Sequence, residues 1–206
     1  MRYTGPKNKI ARREKLDLGF KTLGSKAHAT LLRKINIGPG QHGAKTRRKV
    51  SERARQLREK QKLRYMFGVS EKQLGNYFAK AIRQKGNTAE NLVRLLEHRL
   101  DNVVFRLGLA PTRAAARQLV NHRHVTVNGK IVGIPSYHTV SNDVVTFKRA
   151  ETRKIPAVET AMGREDFVVP AWLERQADTG RVTLEPTVED VEKNVNLRLV
   201  IEFYSK

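Results

Sequence analysis

The sequence predicts an α+β protein: a basic N-terminal arm and a helical domain, a small helix-helix-hairpin module, and a C-terminal segment that returns to the helical domain. Three observations support that fold class. From Ser51 onward, apolar residues recur at helical spacing behind capping residues. Asn128-Gly129 joins two short β-rich runs, and both residue types tolerate the positive φ that a two-residue hairpin needs. Charge also divides the chain: residues 1–90 carry 24 basic and 6 acidic side chains, residues 151–206 carry 8 and 11.

Residues 1–50 form the arm. They show little periodicity, several glycines, and basic clusters such as Arg12-Arg13 and Lys45-Thr46-Arg47-Arg48-Lys49, so the arm is expected to take its shape on a partner. Within it, Gly38-Pro39-Gly40-Gln41-His42-Gly43 reads as a turn-rich loop. The helical domain spans 51–96. Ser51 can cap a helix through about Phe67 that Gly68 closes, bearing Arg53, Arg55, Arg58, Lys60, Lys62 and Arg64 against Glu52 and Glu59. Ser70 with Gln73 makes a capping box, Val69 and Leu74 sit at staple positions, and Leu74, Tyr77, Phe78, Ala81 and Ile82 form a core-facing stripe. Asn87 followed by Glu90 starts another helix, whose apolar face of Leu92, Leu96, Leu100, Val103 and Leu107 extends to Gly108.

The module is placed at 97–160. Thr112 caps a short helix through Val120 that turns Ala115, Ala116, Leu119 and Val120 inward and leaves Arg113 and Arg117 exposed one turn apart. The hairpin of Val125-Thr126-Val127 and Lys130-Ile131-Val132 follows, then a third run, Val144-Val145-Thr146-Phe147. The remainder, 161–206, is expected to pack back on the helical domain. Pro156, Pro170 and Pro186 interrupt the stretch from 148 onward, and Trp172 with Leu173 anchors a short amphipathic piece. Val195, Leu197, Leu199, Ile201 and Phe203 alternate as a strand would, yet Val195, Leu199 and Phe203 also fit a helix face, so that element stays unassigned.

Across 206 residues, 41 Lys and Arg outweigh 20 Asp and Glu, a net charge of +21 that implies a polyanionic partner. Membrane is excluded as that partner, because no apolar stretch approaches the roughly 18 residues of a spanning helix and the start lacks the apolar run of a signal peptide. A cytoplasmic location is expected. There is no cysteine, which removes disulfides and thiolate metal sites. His122 and His124 flank Arg123 without a nearby carboxylate, a pattern of phosphate or solvent contact rather than metal ligation. No metal and no cofactor are expected.

Catalytic motifs are missing too. The glycine loop lacks the Gly-Lys-Ser/Thr ending of a P-loop, and there is no nucleophile elbow, Ser-x-x-Lys or His-Glu-x-x-His. His98-Arg99-Leu100-Asp101 resembles the short motif that carries the catalytic aspartate of pseudouridine synthases. Here it lies in a small module with no separate catalytic domain, so Asp101 is read as a surface carboxylate paired with a neighbouring Arg. The expectation is a non-enzymatic RNA binder. Its candidate RNA contacts are Arg12, Arg13, Lys45, Arg47, Arg48, Lys49, Arg53, Arg55, Arg58 and Lys62 in the front half, and Arg113, Arg117, Arg123, Asn128 and Lys130 in the module. Glu185, Glu189, Asp190 and Glu192, on a tail whose sign repels phosphate, are candidates for a protein interface.

Gly5-Pro6, Arg12-Arg13-Glu14, the glycine loop, Leu57-Arg58-Glu59-Lys60-Gln61-Lys62, Lys85-Gly86-Asn87-Thr88, Leu100-Asp101-Asn102-Val103-Val104, Thr112-Arg113-Ala114, Ala116-Arg117-Gln118-Leu119-Val120, Val127-Asn128-Gly129 and Phe203-Tyr204-Ser205-Lys206 occur in one order from residue 5 to the end. Together they resemble the bacterial family of ribosomal protein four of the small subunit. The module resembles the small RNA-binding domain named after that family. The resemblance implies a ribosomal location and a primary binder of small-subunit rRNA that nucleates assembly, lines the path along which mRNA enters, touches ribosomal protein five and contributes to decoding accuracy. A homo-oligomer is not implied. Zinc-binding relatives hold four cysteines where this chain has Asn8, Ala11, Ser25 and Thr30, so it resembles the zinc-free branch.

Overall fold

Side-chain oxygens start five of the described helices, so local chemistry sets those boundaries. In the structure, a computed structural model describing residues 3–45, 49–164, 167–192 and 194–205, Ser25, Ser51, Ser70, Thr112 and Asn196 each accept a backbone N–H at a helix start. Arg47 and Arg48 and the side chains of Asp190 and Glu192 lie outside the described residues. The helices are α1 (Lys7–Glu14), α2 (Lys26–Arg33), α3 (Glu52–Met66), α4 (Glu71–Arg83), α5 (Thr88–Glu97), α6 (Leu100–Arg106), α7 (Arg113–Asn121), α8 (Pro156–Met162), α9 (Glu189–Glu192) and α10 (Leu197–Tyr204). Strands β1 (Val125–Val127), β2 (Lys130–Ile131), β3 (Val144–Phe147), β4 (Leu173–Gln176) and β5 (Thr179–Val182) form one antiparallel sheet in the order β2-β1-β3-β5-β4. The α+β class is therefore as the sequence predicts.

The chain separates into two compact units, Met1–Leu92 with Val191–Lys206, and Val93–Asp190. This differs from the four-part expectation in two ways. The arm is not shapeless by itself: α1 and α2 bury Ile10, Ala11 and Leu31, and His28 on α2 lies 2.7 Å from Asp17. Residues 161–190 also belong with the module rather than with the front, because β5 pairs with β3 and β4 pairs with β5. Covering β3 on its second side satisfies backbone groups that an edge strand would leave open.

In the first unit, α10 packs along α3. The ambiguous C-terminus is thus a helix: Asn196 accepts from Leu199 N–H, Asn196 N–H donates to Glu59, and Leu197 and Val200 are buried. The buried positions of α3 are Gln56, Lys60, Leu63 and Met66, half of them polar, which is why its sequence shows no apolar stripe. Gln56 donates to Glu202, and the Lys60 ammonium lies 4.3 Å from the Phe203 ring centre while bonding the Glu71 carboxylate. Tyr204 stacks on Phe78 at 4.5 Å and donates its hydroxyl to Glu71.

Burial first, then the charge and hydrogen bond of Glu71, raise the Tyr204 phenol above its ordinary value. The folded chain therefore holds that proton more tightly than the unfolded chain. The resulting stability is fully present below the ordinary phenol value of about 10 and is lost as pH rises through the raised one. Melting temperature is expected to fall as pH rises above about 10, and to fall less steeply in Tyr204→Phe, which keeps the stack. Parallel losses in both proteins would place the alkaline sensitivity elsewhere.

In the second unit, Leu100, Val103, Val104, Leu107, Leu119, Val120, Val125, Val145, Trp172 and Val182 share one core. The apolar face expected to continue to Gly108 is broken at His98-Arg99, which separates α5 from α6. Arg99 there is extended and supplies no side-chain cap. The Tyr137 and Pro135 carbonyls instead accept the N–H groups of Leu100 and Asp101 at 2.9 and 3.2 Å, so a loop distant in sequence caps α6. At the hairpin, Asn128 and Gly129 both take positive φ, 50° and 77°, as the dipeptide requires.

Candidate RNA interface

Internal contacts claim part of the basic front. Arg12 donates to the Ile37 and Gly38 carbonyls, so it holds the glycine loop rather than facing solvent freely. That loop closes on itself tightly enough that a β-carbon at Gly43 would sit 2.1 Å from the Gly38 carbonyl oxygen, and only glycine fits. On α3, Arg53 lies over the Phe203 ring and donates to its carbonyl, Arg58 pairs with Glu14 at 3.0 Å, and Lys62 pairs with Glu59 at 2.7 Å. Burial pushes the Glu14 carboxyl up, and Arg58 opposes that shift. The expected contacts Arg12, Arg53, Arg58 and Lys62 are therefore first of all structural. Arg13, Lys45, Lys49 and Arg55 are exposed and have no ion-pair partner among the described residues.

In the second unit a buried polar network joins α5, α6 and α7. Glu97, fully buried, receives two hydrogen bonds from Arg106 at 2.6 and 3.0 Å and one from Asn102 at 2.6 Å. Asn102 in turn accepts from Arg113 at 2.7 Å, and the Arg113 guanidinium lies 4.5 Å from the Phe105 ring centre. Desolvation and then the neighbouring Arg106 pull the Arg113 pKa down, with Glu97 and Asp101 opposing, and an arginine stays charged at neutral pH all the same. Asp101 is buried, not on the surface: Arg99 grips it at 2.7 and 3.0 Å, and Arg117 approaches it at 3.5 Å. Arg113, held by Asn102 and the Phe105 ring, and Arg117, drawn to Asp101, are consequently half-buried, which corrects the expectation that both are simply exposed. Glutamate and aspartate inside an otherwise apolar helical face, at 97 and 101, were the sequence signal for this network.

Arg123, with φ of 61°, and Lys130 are exposed. Asn128 uses its side chain inside the unit: its amide donates to Asp143 and its oxygen accepts Val144 N–H, locking the turn onto β3. On the tail, Glu185 is not a free acid. It bonds Arg94 and His98, each at 3.0 Å. Glu189 is exposed at the start of α9. The catalytic reading of Asp101 has no support, since both its oxygens face guanidinium groups in a buried setting. No group of three or more His, Cys, Asp or Glu suited to a metal occurs among the described residues.

Residues 2–97 match the family described as ribosomal protein S4/S9 N-terminal domain, and residues 98–145 match the S4 domain. Over 211 aligned residues the chain is 45% identical to the small ribosomal subunit protein uS4 of Chromobacterium violaceum, covering 100% of this chain and 99% of that protein. The chain belongs to the uS4 family. Membership makes it a structural, non-enzymatic protein of the small ribosomal subunit with an RNA-binding module. Of the positions where zinc-binding relatives are expected to carry cysteine, Ala11 is buried in the core, Ser25 caps α2 and Thr30 bonds the Lys26 carbonyl.

Proposed function

We propose that this uS4-family chain is a primary binder of small-subunit rRNA that nucleates assembly. The observation that carries this reading is the cationic surface left after internal pairing, which includes Arg13, Lys45, Lys49 and Arg55 in one unit and Arg123 and Lys130 in the other. No acid among the described residues pairs with these charges, and self-repulsion alone would disfavour them without a polyanion. Phosphate contacts fix register and orientation, and the shape and 2′-OH groups of folded RNA supply discrimination. Affinity for small-subunit rRNA is expected to exceed that for bulk tRNA in direct competition. The slope of log K against log salt is expected to be steep, roughly −0.7 to −0.9 per phosphate neutralised. Changing Arg13, Lys45, Lys49 and Arg55 together to Ala should flatten it by about one unit for each phosphate that is no longer neutralised. An unchanged slope would show that these cations do not meet phosphate.

The finer roles follow from the same surface. Lys45 and Lys49, flanking Arg47 and Arg48, follow the closed glycine loop and suit a cationic rim along the path of incoming mRNA. Glu189, on the acidic tail, suits contact with a basic neighbour such as ribosomal protein five, and through it an influence on decoding accuracy. Reconstituted ribosomes separate these roles: Lys45→Ala with Lys49→Ala should slow translation of structured messages only, and Glu189→Lys should alter misreading without weakening rRNA binding. Normal behaviour in both assays removes both roles.

A further inference from the structure

Residues 131–142 carry no Lys, Arg, Asp or Glu in a chain that is 30% charged. They are nevertheless not buried. Ile131, Ile134, Tyr137 and Val140 are 49%, 62%, 38% and 56% exposed, far more than apolar side chains need to be when a loop is free to fold over them. This loop is not free. Val132 N–H donates to Val125, the Pro135 and Tyr137 carbonyls cap α6, Thr139 bonds the His98 carbonyl through N–H and hydroxyl, and Val140 N–H donates to Asp143. With its backbone held at five residues, the segment presents its side chains outward on a rigid base.

Two exposed cations lie beside it. Lys130 precedes it on β2, and the stem of Arg123 lies beside Gly133, where an added β-carbon would meet Arg123 Cγ at 3.2 Å. The two carboxylates that touch the segment's backbone neighbours, Asp101 and Asp143, are buried and already bonded. The result is an apolar and aromatic strip with a basic rim.

We infer that residues 131–140 are a landing site for unpaired RNA bases, which stack on Tyr137 and lie against Ile134 and Val140 while their phosphates reach Arg123 and Lys130. This rests on the rRNA-binding reading above and adds to it a second kind of contact, one that does not depend on salt. An aromatic face accepts any base, because every base has a π-face, and rigid presentation lowers the entropy cost of binding. An apolar protein partner would bury the same side chains but would offer no counter-charge to the exposed Arg123 and Lys130.

The test uses the full chain and small-subunit rRNA. Tyr137→Ala is expected to bind about tenfold more weakly with an unchanged salt slope, and to expose to dimethyl sulfate unpaired bases that the wild type protects. Tyr137→Phe should behave as wild type. If Tyr137→Ala binds within about twofold of wild type and protects the same bases, the inference is overturned while the rRNA-binding reading stands. Loss of a neighbouring protein from small subunits carrying Tyr137→Ala, with rRNA affinity intact, overturns it in favour of a protein contact. Should that variant unfold by Trp172 fluorescence, Ile134→Ser decides, since it leaves the backbone anchors in place: wild-type affinity overturns the inference, and about threefold weakening supports it. A wild-type chain that prefers tRNA over rRNA would remove the underlying reading itself.

Discussion

Glu97→Ala is expected to cost the second unit about 3–5 kcal/mol, a large share of the 5–15 kcal/mol typical of a whole domain. The Glu97 side chain has no solvent exposure, and it anchors Arg106, itself 19% exposed, and through Asn102 it orients Arg113. Removing the carboxylate leaves two guanidinium groups near each other without the charge that offsets their desolvation. Water can reach Arg106 only partly, so the cost is not recovered by hydration. Changing Glu97 and Arg106 together to Met should be less damaging than Glu97→Ala alone, because the uncompensated charge goes with its partner. The readout is direct: the chain has one tryptophan, Trp172, buried in this unit's core, so its fluorescence in a urea titration follows this unit. A midpoint equal to wild type in the single variant would mean that the network is not a net support of the fold.

A chain ended at Asn194 is expected to lose much of the helicity of the first unit and, with it, the rRNA affinity proposed for that unit. Val195, Leu197 and Val200 are 1%, 2% and 0% exposed, and burying three such side chains contributes roughly 5–9 kcal/mol by area. The same cut uncovers Lys60 and Arg53, whose charges sit over the Phe203 ring, and it removes the ring that stacks on Phe78. Circular dichroism at the helical minimum and protease sensitivity within 51–90 measure the loss, and Trp172 should keep its buried emission. Retained helicity with wild-type rRNA binding would show that α10 is dispensable.

Features that depend on a few neighbouring residues were legible in the chain itself. Ser51, Ser70 and Thr112 cap helices because a side-chain oxygen can reach an N–H two or three residues on, whatever surrounds it. Asn128-Gly129 turns the hairpin for an equally local reason, its tolerance of positive φ. The overall charge, and with it the class of partner, is also a property of composition.

What depends on groups far apart in the chain was decided only by the tertiary structure. Whether Val195 to Phe203 becomes strand or helix turns on α3, which offers Glu59 to the Asn196 N–H and a groove for Leu197 and Val200. The break between α5 and α6 exists because carbonyls at 135 and 137 arrive to cap α6. Residues 173–182 became strands because β3 had an open edge for them. The same holds for the cations: Arg58 and Arg55 look alike in sequence, yet one is paired with Glu14, 44 residues away, and the other faces solvent. Charge can be counted along the chain, but which charges remain for RNA depends on which acids the fold brings to them.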